Sequence, residues 1–159
     1  MNSQNHRPRA PSPTALRALC ATLRALCALC ALLATATLLT SCSEIKTTNP
    51  GETYKHWAGT NPPADLRLIN AQYWQSSHWS KEYIMYLELK PTEAWWNEFL
   101  KQNNIVQDNA QWTIPAGAPS WFHPSETFVR YRTKSGHDQG SRYFRDATTG
   151  ICYIYETQL

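Results

Sequence analysis

Lys81-Glu-Tyr-Ile-Met-Tyr-Leu-Glu-Leu-Lys90 alternates with a period of two: Tyr83, Met85, Leu87 and Leu89 fall on one side, Ile84, Tyr86, Glu88 and Lys90 on the other. That period belongs to a strand with one face on a core, so a β-strand is predicted over 82–90. Immediately upstream, Leu66 to Gln75 is apolar and aromatic and leads into the polar Gln75-Ser-Ser-His-Trp-Ser80. Leu66, Ile69 and Tyr73 would also suit a helix. The polar loop at 76–81 favours a β-hairpin pairing 66–75 with 82–90.

Downstream, Pro91 stops the strand and Thr92 can cap a helix whose first turn carries Glu93, placed well for the positive end of the helix dipole. Trp95, Trp96, Phe99 and Leu100 then form one stripe, with Glu93, Asn97, Glu98 and Lys101 facing away. Such a helix packs on the sheet. A Trp pair can also stack on a glycan, but the amphipathic spacing favours core.

Asn103-Asn104 ends the helix, and 105–124 contains Pro115, Pro119 and Pro124 with Trp112, Trp121 and Phe122 among them. Prolines exclude this segment from a central strand. Loops of this length inside a small domain are functional or mobile, which makes this one the first candidate for a ligand surface. Three strand-like runs follow: Glu126 to Thr133, Ser141 to Arg145 and Ile151 to Thr157. The segments between them, Ser135 to Gly140 and Asp146 to Gly150, have turn chemistry and a glycine for positive φ. The expected architecture is α+β: an antiparallel sheet of about five strands, an N-terminal hairpin plus a C-terminal meander, covered by one amphipathic helix.

Five basic residues, Arg130, Arg132, Lys134, Arg142 and Arg145, cluster in the meander. Their ordinary role is a solvated face; the sharper reading is an anion-binding patch for lipid headgroups or acidic glycans. The candidate binding surface is therefore Trp112, Trp121, Phe122, Arg130, Arg132, Arg142 and Arg145. Cys152 shares a strand face with Ile154, as a small buried thiol does. His56, His78, His123 and His137 are scattered, no paired metal-ligand spacing occurs, and nucleophile-elbow, P-loop, zincin and dinucleotide patterns are absent from the sequence. Neither a metal, a cofactor nor an enzymatic activity is expected.

Toward the N-terminus the chain changes character. Residues 43–63 are polar, with Asn49-Pro50-Gly51, Gly59-Thr60-Asn61 and Pro62-Pro63 as breakers, and read as an irregular arm onto which Tyr54, His56 and Trp57 add docking rings. Before it, a basic, proline-bearing leader gives way to Ala25 to Ser41, seventeen residues without a charge. A bilayer span takes about 20 strongly apolar residues, so an uncleaved anchor is the weaker alternative to an export signal.

Leu39-Thr40-Ser41-Cys42 closes that apolar run. It resembles the lipobox of bacterial lipoprotein precursors. The resemblance covers the leader and Cys42 alone, and implies cleavage before Cys42 and a diacylglycerol and an N-acyl chain on that residue. It further implies that Ser43, which is not Asp, directs the protein to the periplasmic side of the outer membrane, with the inner membrane as the alternative. The chain then divides into a signal peptide (1–41), a lipid-anchored tether (42–63) and one domain (64–159). The Cys27/Cys30 pair sits inside the export segment and is not read as a redox or zinc motif.

Removing the leader alters the charge. The whole chain has fifteen basic and twelve acidic residues and a formal charge of +3, but Arg7, Arg9, Arg17 and Arg24 lie in the leader and no acidic residue does, leaving a mature charge of −1. Nucleic acid is not an expected partner. All seven Trp, eight Tyr and four Phe follow Cys42, so rings carry the core. The functional expectation is a non-enzymatic envelope lipoprotein binding a protein or an envelope polymer. An immunity or inhibitor protein and, less favoured, a cell-wall hydrolase are the alternatives.

Overall fold

The computed structural model describes residues 43–134 and 139–159. The leader, Cys42 and four residues of the 135–140 turn, His137 among them, lie outside the described residues.

Seven strands form one antiparallel sheet: β1 (Ile45–Thr47), β2 (Arg67–Gln75), β3 (Tyr83–Lys90), β4 (Ile105–Gln107), β5 (Val129–Thr133), β6 (Arg142–Arg145) and β7 (Cys152–Gln158). Among the described residues two helices accompany them, α1 (Pro50–Ala58) and α2 (Glu93–Gln102). The order across the sheet is β1-β2-β3-β7-β6-β5-β4. The predicted hairpin is present, with Gln75 opposite Tyr83 and a register shift between Leu68 and Asn70. So is the meander, with Tyr143 opposite Ile154 and Tyr131 opposite Tyr143. The last strand closes against the hairpin, Leu87 facing Ile154.

The sheet has seven strands where about five were expected. The two additional ones, β1 and β4, are three-residue edges at opposite sides of the sheet. No period is readable over three residues, and short edges of this kind leave little unpaired backbone for another chain to extend.

The expectation of an irregular arm over 43–63 is also corrected, because β1 and α1 lie within it. Asn49, Pro50 and Gly59, read as breakers, are instead the caps of α1. The Asn49 side chain accepts from the Glu52 amide at 3.1 Å, Pro50 occupies the first turn, and Gly59 closes the helix at φ 70°. Proline at the first helical position and glycine just past the last are where helices use these residues best. α1 lays Tyr54 into the core and stacks His56 on Tyr73 at 5.4 Å. The docking assigned to Tyr54, His56 and Trp57 is therefore made by a helix.

α2 follows its predicted pattern: Thr92 caps the Trp95 amide at 3.2 Å, and Trp96 and Phe99 are buried. Under the helices lies the main core, with Met85, Leu87, Leu89, Tyr73, Tyr143, Cys152 and Ile154 drawn from alternate positions of four strands. The other sheet face is covered too. Tyr86, Phe122 and Phe144 are buried there, with Trp112, Trp121, Tyr153 and Tyr155 packed around them. The proline-bearing segment is thus a third layer; on the same sheet face Glu88 is only 8% exposed and accepts from the Asn70 side-chain amide at 2.7 Å and the Tyr153 hydroxyl at 3.2 Å.

Candidate functional site

Most of the residues singled out in the sequence belong to the core or to ion pairs. Phe122 is wholly buried, its ring 5.0 Å from that of Tyr86 and 5.5 Å from that of Tyr153. Trp112 is half-buried against Phe144 at 5.0 Å and Tyr155 at 5.9 Å, and Trp121 meets Phe122 edge-on at 5.9 Å. Prolines keep the segment out of the sheet but do not keep its rings off it. These three side chains hold the loop down; Phe122 is wholly enclosed, while Trp112 and Trp121 remain partly exposed.

Three of the four arginines are ion-paired as well. Asp108, just past β4 and 8% exposed, faces the Arg142 Nε at 3.4 Å and the Arg132 Nε at 3.7 Å. Its amide donates to the Arg130 carbonyl at 2.9 Å. Arg145 forms a two-pronged pair with Glu93 on α2, one arm at 3.0 Å, and lies 5.9 Å from the Trp96 ring centroid. That pairing holds the Glu93 carboxyl below its usual range and raises Arg145 further. Sequence proximity put these cations together; carboxylates from distant segments compensate them. Arg130 is half-buried beside them.

A different concavity is the better candidate. Between α1 and α2 an open cleft of about 710 Å³ is walled by Trp57, Tyr83, Trp95 and Phe99, with Glu156 and Glu98 as its carboxylates. Its volume lies within the range typical of small-ligand pockets, roughly 300–1,000 Å³. The wall is a run of touching rings: Tyr54 on Trp57 at 5.6 Å, Trp57 on Phe99 at 5.7 Å, and Trp95 stacked on Phe99 at 5.2 Å.

Glu156 follows Cys152 and Ile154 on the core-facing side of β7, which turns a charged side chain inward. Three donors stabilise it there. Its Oε2 accepts from the Trp57 indole at 2.7 Å and the Tyr83 hydroxyl at 3.0 Å, and its Oε1 accepts from the Tyr143 hydroxyl at 2.8 Å. Burial, and then the adjacent Glu156 charge, push the Tyr83 phenol well above its usual value, so it remains a donor. A carboxylate has about four acceptor positions, which leaves capacity at Glu156 for one more donor.

Both helices end at this cleft, α1 at Ala58 and Thr60, α2 at Gln102 and Asn103. Helix C-termini carry partial negative charge and favour cations. No Lys, Arg or His is among the described residues that line the cleft. Two carboxylates, two helix ends and several ring faces together select a cation carrying apolar surface. Among the described residues no group of three His, Cys, Asp or Glu could hold a metal ion.

The sequence reading missed this site because α1 was hidden among apparent breakers. One signal did exist: Glu156 has the same parity on β7 as Cys152 and Ile154, an acid on a core face. The lone described thiol, Cys152, is buried and donates toward the Gly150 carbonyl at 3.7 Å; burial pushes its pKa up to about 12, which removes it as a nucleophile near neutral pH. Comparison with family models, with curated proteins and with solved structures gives no match, so any reading of the site rests on the geometry of this chain itself.

Proposed function

We propose that this chain is a lipid-anchored envelope protein, acylated at Cys42, whose domain binds without catalysis a primary-amine group displayed by an envelope polymer. The anchor is supported by the Leu39-Thr-Ser-Cys42 motif behind an uncharged run. Binding is supported above all by one observation: Glu156 is held at the floor of an aromatic cleft by three donors, with acceptor capacity remaining. An ammonium entering there meets Glu156 and Glu98, while the carbon skeleton beside it packs on Trp57 and Trp95. Cation–π contacts with such rings contribute about 0.5–2 kcal/mol each. Site and anchor together give a protein that grips a polymer from the membrane side, on the periplasmic leaflet of the outer membrane.

Co-sedimentation with isolated cell-wall sacculi tests this. Wild-type protein is expected to pellet with untreated sacculi, to lose at least tenfold in affinity when their free amines are acetylated, and to lose as much in Glu98→Gln or Trp95→Ala. Both side chains reach solvent, so these variants should keep the fold. Binding indifferent to acetylation and to both substitutions would refute the amine reading. Recovery of a single stoichiometric protein in place of polymer would move the assignment to the capture of one partner, as an immunity or inhibitor protein does.

A further inference from the structure

Four large apolar residues are exposed among the described residues, and the two most exposed, Trp79 at 91% and Leu159 at 68%, lie at one end of the sheet. Register places them there. Ile45 pairs with Gln75, Gln75 with Tyr83, and Tyr83 with Gln158, so the start of β1, the β2–β3 loop carrying Trp79 and the C-terminal Leu159 share that end. Neighbouring strands are about 4.8 Å apart, which puts β1 and β7 roughly 14 Å from each other.

This is also the end at which the chain emerges from the leader. Cys42 precedes Ile45 by three residues, and three residues span at most about 10 Å. We infer that this end of the sheet is a membrane-contacting surface, in which Trp79 and Leu159 sit at the lipid interface beside the acylated residue and fix how the domain stands on the bilayer. The inference rests on the anchor at Cys42 proposed above. A tether of some twenty residues would have let the domain tumble freely; the short link to β1 does not.

Trp has the amphipathic ring that collects at the headgroup level of membranes. The ionic side chains nearby balance in number: Lys46 is paired with Glu44 at 3.0 Å, and Lys81 is followed in sequence by Glu82. The contact is therefore with the bilayer interface itself and does not depend on anionic lipid. Two or more acyl chains already hold a protein durably, so Trp79 adds orientation, with no change in the amount of protein bound.

The test uses full-length protein expressed in bacteria labelled with radioactive palmitate, purified in detergent and reconstituted into phosphatidylcholine vesicles containing acyl-brominated lipid. Label present in wild type and absent in Cys42→Ala establishes the anchor independently. With the anchor in place, part of the tryptophan emission is expected to be quenched by bromolipid. That part should disappear in Trp79→Phe and persist in Trp121→Phe, with vesicle-bound protein unchanged in every case and no dependence on added phosphatidylglycerol. Quenching equal in wild type and Trp79→Phe, or none in either, would overturn the membrane contact while leaving the anchor standing. Absence of label would overturn both. Trp79 shielded from bromolipid in a dimer-sized particle would assign this end to a second copy and likewise overturn the proposal.

Discussion

Phe122 shows how little one residue's neighbours in sequence say about its role. Flanked by Trp121 and His123 between two prolines, it looks like a ring offered to a ligand, yet its side chain is fully enclosed by Tyr86, Phe144 and Tyr153. Truncating a buried Phe costs about 3–5 kcal/mol, so Phe122→Ala is expected to lower the denaturant midpoint steeply without touching the cleft. A change below about 1 kcal/mol would mean that the ring is not a core residue. The phenols beneath it carry a pH signature. Burial is the first cause that pushes Tyr86 and Tyr153 up to about 12, with Tyr155 and Glu88 reinforcing it respectively. A phenol whose folded value is raised stabilises the fold fully below its unfolded value near 10 and loses that contribution as pH climbs toward 12. Thermal stability should therefore decline across that window. Tyr86→Phe should flatten the decline, and an unchanged slope would argue against the burial described for Tyr86.

At the scale of elements, the strands with several full periods were legible and the short ones were not. Eight residues of β3 and seven of β7 repeat their alternation often enough to be read. The pairing of the hairpin strands, though not their register, followed from the polar loop, and α2 was readable from its cap, stripe and terminal asparagines. α1 was lost because Asn, Pro and Gly are ambiguous: the same residues end an irregular segment and bracket a helix, and only the distance between Pro50 and Gly59, one short helix long, separates the readings. Two substitutions examine that helix. Asn49→Ala removes the acceptor for the Glu52 amide and should cost about 1 kcal/mol. Gly59→Ala meets no atom within 4 Å but places a side chain at φ 70°, so it too should destabilise, by about 1 kcal/mol through backbone strain alone. If neither alters the unfolding transition, the segment does not form a capped helix in solution. The third layer escaped notice for a related reason: prolines mark where a strand cannot run and carry no information about the face against which their neighbours fold.

For the whole molecule, the covalent order of the chain and the packing of its layers bear on the same question. The helices cover one face, the proline-bearing segment covers the other, and both edges are short. Among the described residues, the features left open include the cleft between α1 and α2 and the sheet end that carries Trp79, Leu159 and the start of β1. Only the proposed acylation at Cys42 would connect these to a place in the cell, and the lipobox resemblance behind it was readable from the leader without any fold. The cleft was not readable, since it needs Glu98 and Glu156, 58 positions apart, brought to one site beside two helix ends. The most direct measurement is the intact mass of the protein extracted from membranes of the expressing bacterium. The expected spectrum is that of Cys42 to Leu159 carrying a diacylglyceryl group and an amide-linked acyl chain, shifted to the bare leader-bearing mass in Cys42→Ala. A wild-type chain that retains residues 1–41, or that begins at an unmodified Cys42, would contradict the lipid anchor and the membrane orientation built on it.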